Sequence, residues 1–170
     1  KDLTKIISQR AALFVELGYT ENVLRLVQDI RPEDQVNALV ALISVPHLSD
    51  AQRHEIVLNA KETVNKVKDA EMQANVLAEL AIYSIGPQKD SLLRRALTLI
   101  EDLRDKRQQA DILTKLIPHL AGTLYKEAMR IAKRVEDHRT KAKLLVALAC
   151  NKSQSEQEMI LRDAWFVLSN

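Results

Sequence analysis

Three aspartates occur at matched places along the chain, and recurring carboxylates are the first residues to test for chemistry. Asp69, Asp105 and Asp137 each stand five residues before a matched alanine, at the start of a segment rich in helix formers. Carboxylates can act as general acids or bases, or as ligands for metal ions. At the start of a helix, however, an aspartate accepts hydrogen bonds from backbone N–H groups that lack a partner within the helix. The pattern therefore predicts three helix N-caps rather than a catalytic set.

The other reactive residue types are scattered along the sequence. His47 and His119 lie in matching Pro-His-Leu turns, which favours a structural position over metal ligation. Neither a His-Glu-x₂-His nor a Cys-x₂-Cys pattern occurs, and the 3 glycines are isolated, so no phosphate-binding loop is present. The single cysteine, Cys150, ends a predicted helix, where the negative end of the helix dipole disfavours a thiolate. We therefore expect a protein that is not an enzyme and that uses no cofactor or metal.

The elements that carry these residues are predicted to be helices throughout. Ala and Leu dominate the composition, charged residues make up 28%, and no strand-like alternation appears. No apolar run approaches the roughly 20 residues that a membrane-spanning helix needs. The single cysteine fits a reducing compartment, so we expect a cytoplasmic protein with no membrane association. Because the chain begins at Lys1 without a methionine or a signal segment, we expect part of a longer protein.

The helices follow a repeat. Equivalent positions of successive first helices carry a small or branched residue and then two leucines at three-residue spacing: Val36, Leu39 and Leu42; Ala74, Leu77 and Leu80; Ala110, Leu113 and Leu116; Ala142, Leu145 and Leu148. The second helices carry a matched alanine at Ala60, Ala96 and Ala128, and each precedes the next first-helix alanine by the same interval. A constant turn between hairpins fixes how repeats stack, as a solenoid requires. Gln73 and Gln109, next to two of the matched alanines, are expected to link neighbouring turns.

This register predicts an all-α solenoid of about five hairpins, or ten helices, that forms one domain over residues 1–170. The approximate hairpins are residues 3–30, 32–67, 70–103, 106–135 and 138–168. Ser49 with Gln52, and Ser155 with Glu158, have the spacing of capping boxes that begin helices. Gly86-Pro87 is expected to end one helix, and the next is expected to begin at Asp90 or Ser91.

The two-helix unit resembles the tetratricopeptide-like class of α-solenoids over about residues 3–168. The residues that carry the resemblance are Ala-x₂-Leu-x₂-Leu in the first helix and the matched alanine in the second. The Val-x-Asp turn, followed by Lys/Arg/Gln-Ala-x₂-Leu, is similar to degenerate repeats in bacterial and archaeal signal-transducing multidomain proteins. The sequence departs from the strict signature, since it has no early Trp, no Leu-Gly pair and no regular closing Pro, and HEAT-like packing stays open. The resemblance implies a right-handed superhelix that serves as a scaffold or sensor and binds a protein or peptide on its concave face.

Polar positions that vary between repeats are the candidates for contact with such a partner. First helices commonly line the concave face of a solenoid. The candidates on the polar arc of these helices are Asn37, Asn75, Glu79, Asp111, Lys115 and Lys143. A solvated helix face is the alternative interpretation, because charged outer faces are usual for amphipathic helices.

Two further surfaces have a possible function. The basic stretch from Arg130 to Lys143 indicates nucleic-acid binding as an alternative, which an aromatic content of 4% disfavours because few bases could stack. The apolar run Trp165-Phe166-Val167-Leu168 is unlike a polar capping helix. We expect it to pack on the previous hairpin, to meet a following repeat, or to allow self-association through the C-terminal hairpin.

Overall fold

Helices make up all the regular secondary structure of the residues that this computed structural model describes, namely 10, 13–15, 17–46 and 48–169. The helices with defined ends are α1 (Thr20–Gln28), α2 (Pro32–Ile43), α3 (Asp50–Val64), α4 (Ala70–Ile82), α5 (Gly86–Asp102), α6 (Lys106–Leu116), α7 (Gly122–Lys133), α8 (His138–Ala149) and α9 (Gln154–Ser169). A 3₁₀ turn, Ile117–His119, follows α6. The all-α prediction is confirmed for this part of the chain. Most of the predicted first helix, and His47, lie outside the described residues.

The chain divides into two compact units, residues 1–92 and 93–170, with the division inside α5. In the first unit, α2 packs against α1, α3 and α4, and α3 also packs against α4. In the second unit, α8 packs against α6, α7 and α9. Within each unit, the first helix of one predicted hairpin therefore packs on the first helix of the next. The grouping of all hairpins into one domain stays a prediction.

The matched apolar positions form the cores of the two units. Ala74, Leu77 and Leu80 of α4 are fully buried, as are Leu113 and Leu116 of α6. The matched alanines of the second helices, Ala60, Ala96 and Ala128, are also fully buried. Small side chains at these positions let helices approach closely, and the leucines fill the space between them. The predicted core register is confirmed.

The helix caps predicted at Asp69 and at Ser49 with Gln52 are present. Asp69 accepts hydrogen bonds from the backbone N–H groups of Glu71 and Met72, at 2.9 and 3.3 Å. Ser49 and Gln52 form the predicted capping box, in which each side chain accepts from the backbone N–H of the other residue. These bonds satisfy donors that the first helical turn cannot pair internally.

The ends of several helices differ from the sequence prediction. The helices before Asp69, Asp105 and Asp137 end at Val64, Asp102 and Lys133, although they were expected to continue to Val67, Leu103 and Val135. Those three residues are nevertheless buried, because they fill the turn that leads into the next cap. The prediction of helical structure was therefore wrong there, whereas the prediction of a core position was right.

The beginnings of α5 and α9 were also placed too late. Helix α5 begins at Gly86 rather than at Asp90 or Ser91. Gly86 has φ +60°, a conformation that glycine adopts easily, and Pro87 suits a first turn because its missing N–H needs no partner. Helix α9 begins at Gln154, and Ser153 rather than Ser155 meets a glutamate three residues on: its hydroxyl lies 3.1 Å from Glu156.

No helix among the residues described is both long enough and apolar enough to cross a membrane.

Candidate functional site

A groove of about 1010 Å³ lies beside α6 and α8, the first helices of two successive predicted hairpins. The part of the lining that comes from α6 and its cap is Asp105, Lys106, Arg107, Ala110, Asp111 and Thr114. The part that comes from α8 and its cap is Asp137, Arg139, Thr140, Lys143 and Leu144. The groove lies entirely within the second unit.

Two of the lining carboxylates are used as helix caps. Asp105 Oδ1 accepts from the backbone N–H groups of Arg107 and Gln108, at 2.8 and 3.3 Å. Asp137 Oδ2 accepts from the backbone N–H of Thr140 at 2.7 Å. Their negative charge is therefore directed to the first turns of α6 and α8. The prediction that these aspartates are caps is confirmed.

The two helix beginnings lie at the same end of the groove. Hydrogen bonds from Thr140 lower the pKa of the Asp137 carboxyl, and the positive charge of Arg107 lowers it further. Arg107 belongs to the first turn of α6, whereas Asp137 precedes α8, so the guanidinium acts across the groove. A cation and a carboxylate from neighbouring helices thus interact electrostatically near the starts of both helices.

Apolar lining is limited to the floor of the groove. Ala110 and Leu144 are buried and present only small parts of their surface. Thr114 and Thr140 stand beside them, and the Thr114 hydroxyl donates to the carbonyl of Ala110 at 2.7 Å. The remaining lining is charged, which distinguishes this groove from the mostly apolar pockets that hold small organic ligands.

Three of the lining cations are held by no hydrogen bond and no salt bridge within the described part of the chain, although the charge of Arg107 acts on Asp137. Arg107, Arg139 and Lys143 make no side-chain hydrogen bond and no salt bridge there. The fourth cation, Lys106, donates from Nζ to the carbonyl of Leu103 at 3.0 Å. Arg139 and Lys143 lie four residues apart on α8, and residues at this spacing share one face of a helix. The groove therefore presents three positive side chains that are available to a ligand.

Three basic residues at the C-terminal end of α7 are, by contrast, already paired. Arg130 binds both carboxylate oxygens of Glu101, at 2.6 and 2.7 Å, and Arg134 binds one of them at 2.7 Å. Lys133 lies 3.4 Å from Asp163. The bonds from Arg130, together with Arg134, hold the pKa of Glu101 below its usual range. Arg130, Lys133 and Arg134, which belong to the basic stretch of the sequence, therefore form ion pairs between helices of the second unit.

Two of the six candidate contact residues line this groove. Asp111 and Lys143 are exposed and lie on its opposite helices. Lys115 is exposed one turn beyond Asp111 and does not belong to the lining. The other three candidates, Asn37, Asn75 and Glu79, belong to the first unit; the first is exposed and the other two are half-buried.

The six predicted contact residues do not include Arg107 and Arg139, although Arg139 belongs to the basic stretch considered for nucleic-acid binding. Arg107 lies one turn before Asp111, and Arg139 lies one turn before Lys143. The predicted contact residues of α6 and α8 all lie on the C-terminal side of the matched alanines. Arg107 and Arg139 share the helix faces of Asp111 and Lys143, because residues four apart are neighbours on a helix. The helical period alone could therefore have identified both arginines.

Other reactive groups do not gather at the groove. Among the residues described, no three His, Cys, Asp or Glu side chains come together as a metal site would require. Cys150 is exposed and directly follows α8, at the end remote from Asp137.

The last helix presents a second exposed surface. Ile160 and Ala164 of α9 pack against Leu145 and Ala149 of α8. Trp165 and Phe166, on other sides of α9, are 72% and 69% exposed. Helix α9 thus packs on the previous hairpin through small and aliphatic residues while its two aromatic residues stay largely accessible.

Comparison with models of protein families, with curated proteins and with solved structures finds no match to this chain. The resemblance to the tetratricopeptide-like class therefore stays a prediction from the sequence, as does the HEAT-like alternative.

Proposed function

We propose that the chain is a non-enzymatic interaction module, and that the groove of α6 and α8 binds a segment of a protein or peptide. The observation that carries the proposal is the lining itself, in which Arg107, Arg139 and Lys143, held by no hydrogen bond or salt bridge among the described residues, stand around a small aliphatic floor. A peptide offers charged side chains and backbone groups over several residues, which such a lining can contact together. A small apolar ligand would leave most of these charges without a partner.

The packing of α2 on α4 and of α6 on α8 supports a repeat architecture in this proposal. The hairpins would continue as a right-handed superhelix with first helices on the inner surface. Such arrays commonly act as scaffold or sensor arms, because neighbouring repeats extend one binding surface. In this role the chain would serve a signalling protein in the cytoplasm.

The test is affinity selection of a displayed random peptide library on the chain, followed by binding measurements with the selected peptides. Thr114→Trp fills the groove from an exposed lining position without touching the core. Thr98→Trp is the matched control, because Thr98 is also exposed and its hydroxyl also donates to the carbonyl four residues earlier. We expect the selected peptides to lose binding only to Thr114→Trp. Selected peptides that bind both variants equally would contradict the proposal.

Nucleic-acid binding is the second candidate, because Arg139 and Lys143 would also attract phosphates. The pairing of Arg130, Arg134 and Lys133 with acidic residues counts against it. A labelled RNA or DNA strand titrated with the chain at low salt separates the two functions, since phosphate binding weakens steeply as salt rises. No binding at low salt would eliminate this candidate.

A further inference from the structure

Some charged side chains of the groove already make hydrogen bonds within the chain, whereas others can still bind a ligand. Asp105 and Asp137 accept backbone hydrogen bonds from the first turns of α6 and α8. Asp111 is the one lining carboxylate that does not cap a helix. Arg107, Arg139 and Lys143 have no hydrogen-bonding partner among the residues described. An incoming chain therefore meets three available cations and one available carboxylate.

The spacing of the cations suits a peptide in an extended conformation. Arg139 and Lys143 are one helical turn apart, so their attachment points are separated by about 5–6 Å. Alternate side chains of an extended peptide lie on one side at intervals of roughly 6.5 Å. Two acidic residues separated by one residue can therefore reach Arg139 and Lys143 together, while Arg107 faces the same space from α6.

From this charge distribution we infer that the groove selects an extended acidic peptide segment, whose carboxylates bind Arg107, Arg139 and Lys143. Asp111 acts against the same ligand, because it places a like charge near the path of the peptide. The inference rests on the proposed function, since it names the chemistry of the partner for the same groove.

A peptide fits these observations better than a nucleic acid does. The lining contains no aromatic side chain on which a base could stack. Asp111, the lining carboxylate that caps no helix, would repel a backbone that carries one negative charge at every nucleotide. A peptide can instead place its acidic residues at the cations and neutral residues beside Asp111.

The experiment uses the full chain and a labelled peptide of alternating Glu and Ser, with a Gln and Ser peptide as its neutral counterpart. Fluorescence anisotropy gives the dissociation constants at low and high salt. The double variant Arg139→Gln with Lys143→Gln should weaken binding of the Glu peptide about tenfold, because each removed charge acts in a partly shielded groove. Asp111→Asn should strengthen the same binding by about threefold. An increase in affinity is not an effect that damage to the fold would produce.

The matched control is the double variant Arg94→Gln with Arg162→Gln. It removes the same amount of charge from exposed positions on α5 and α9 that do not line the groove. Binding of the Glu peptide should change by less than about twofold, as expected for distant charges at moderate salt. Circular dichroism and thermal unfolding of every variant establish that the helices are retained.

The outcomes separate this inference from the function on which it rests. If the Glu and Gln peptides bind equally, the acidic preference is overturned. The interaction module stands in that case if library peptides still lose binding to Thr114→Trp. Absence of any groove-dependent peptide from both experiments would overturn both. A single-stranded RNA that binds as tightly as the Glu peptide, and is lost with the same double variant, would overturn the inference in favour of nucleic acid.

Discussion

Gln109 of α6 donates from Nε2 to the carbonyl oxygen of Ile100 in α5 at 2.6 Å, and to that of Glu101 at 3.2 Å. Gln109 is only 4% exposed; its bond to Ile100 is buried and its bond to Glu101 is partly buried. Carbonyl groups in the last turn of a helix have no partner within the helix. Gln109, in the first part of α6, therefore supplies a donor to the carbonyl groups at the end of α5. Gln73, at the matched position of α4, donates instead to the carbonyl of Val67 in the turn after α3, at 2.5 Å.

Replacing Gln109 with Leu should destabilise the chain by about 1–3 kcal/mol, because the Glu101 carbonyl loses the Gln109 donor and the Ile100 carbonyl keeps only the bond from the Leu103 N–H at 3.2 Å. Urea unfolding measured by circular dichroism gives the free energy of unfolding. Gln154→Leu, at an exposed position on α9, is the control and should change it by less than about 0.5 kcal/mol. Equal stability of Gln109→Leu and the parent chain would show that the link is dispensable.

The cap at Asp137 makes stability depend on pH. Its pKa in the folded chain lies below the unfolded value, chiefly because of hydrogen bonds from Thr140 and then because of Arg107. The stabilisation is fully present above the unfolded pKa of about 3.9 and is lost as pH falls through the folded pKa. Asp137→Asn keeps an oxygen that can accept the bond but cannot ionise in this range. We expect the variant to lose part of the decline in unfolding free energy on acidification, and superimposable pH curves would contradict this.

The ion pairs of Glu101 should contribute little to stability in spite of their short distances. Arg130 and Arg134 are largely exposed, and exposed pairs contribute about 0–1 kcal/mol. Glu101→Gln should therefore lower the free energy of unfolding by no more than about 1 kcal/mol, and by less at high salt. Urea unfolding at two salt concentrations measures both effects. A larger, salt-independent loss would indicate that Glu101 acts through packing instead.

The exposed aromatic residues of α9 allow a test of self-association. If the C-terminal hairpin pairs with another copy, Trp165→Ser should weaken the association at least tenfold, since tryptophans at interface centres contribute more than about 2 kcal/mol. Sedimentation equilibrium over a range of concentrations measures this. Thr98→Ser is the control, because Thr98 is exposed on another helix. A parent chain that stays monomeric throughout would show that this expectation is wrong.

Features that depend on local sequence could be predicted well. The caps at Asp69 and Asp105 follow from residues within one turn, and the buried leucines follow from a helical period that repeats. The start of α5 was missed because Gly86 and Pro87 can either end a helix or begin one, and the choice depends on the backbone angle of Gly86. Local propensity alone does not distinguish these two cases.

The groove was only partly foreseen because it depends on contacts between distant residues. Asp111 and Lys143 were predicted from their place on the polar arc of each helix, and both line the groove. Arg107 acts on Asp137 because α6 packs against α8. The sequence of either helix alone does not predict that packing. The availability of Arg139 likewise depends on which carboxylates its neighbours have already bound, as the pairing of Arg130 with Glu101 illustrates.

The buried residue that precedes each cap has a consequence for how such a chain can lengthen. Val67, Leu103 and Val135 are each followed two positions later by the capping aspartate. A loop inserted between Val135 and Asp137 would pull the buried side chain away from the helix start that it supports. A duplicated segment covering residues 105–136, placed directly after Glu136, would instead bring its own cap and its own buried turn residue and keep their spacing. The joint between hairpins is therefore a natural boundary for duplication and a poor place for insertion.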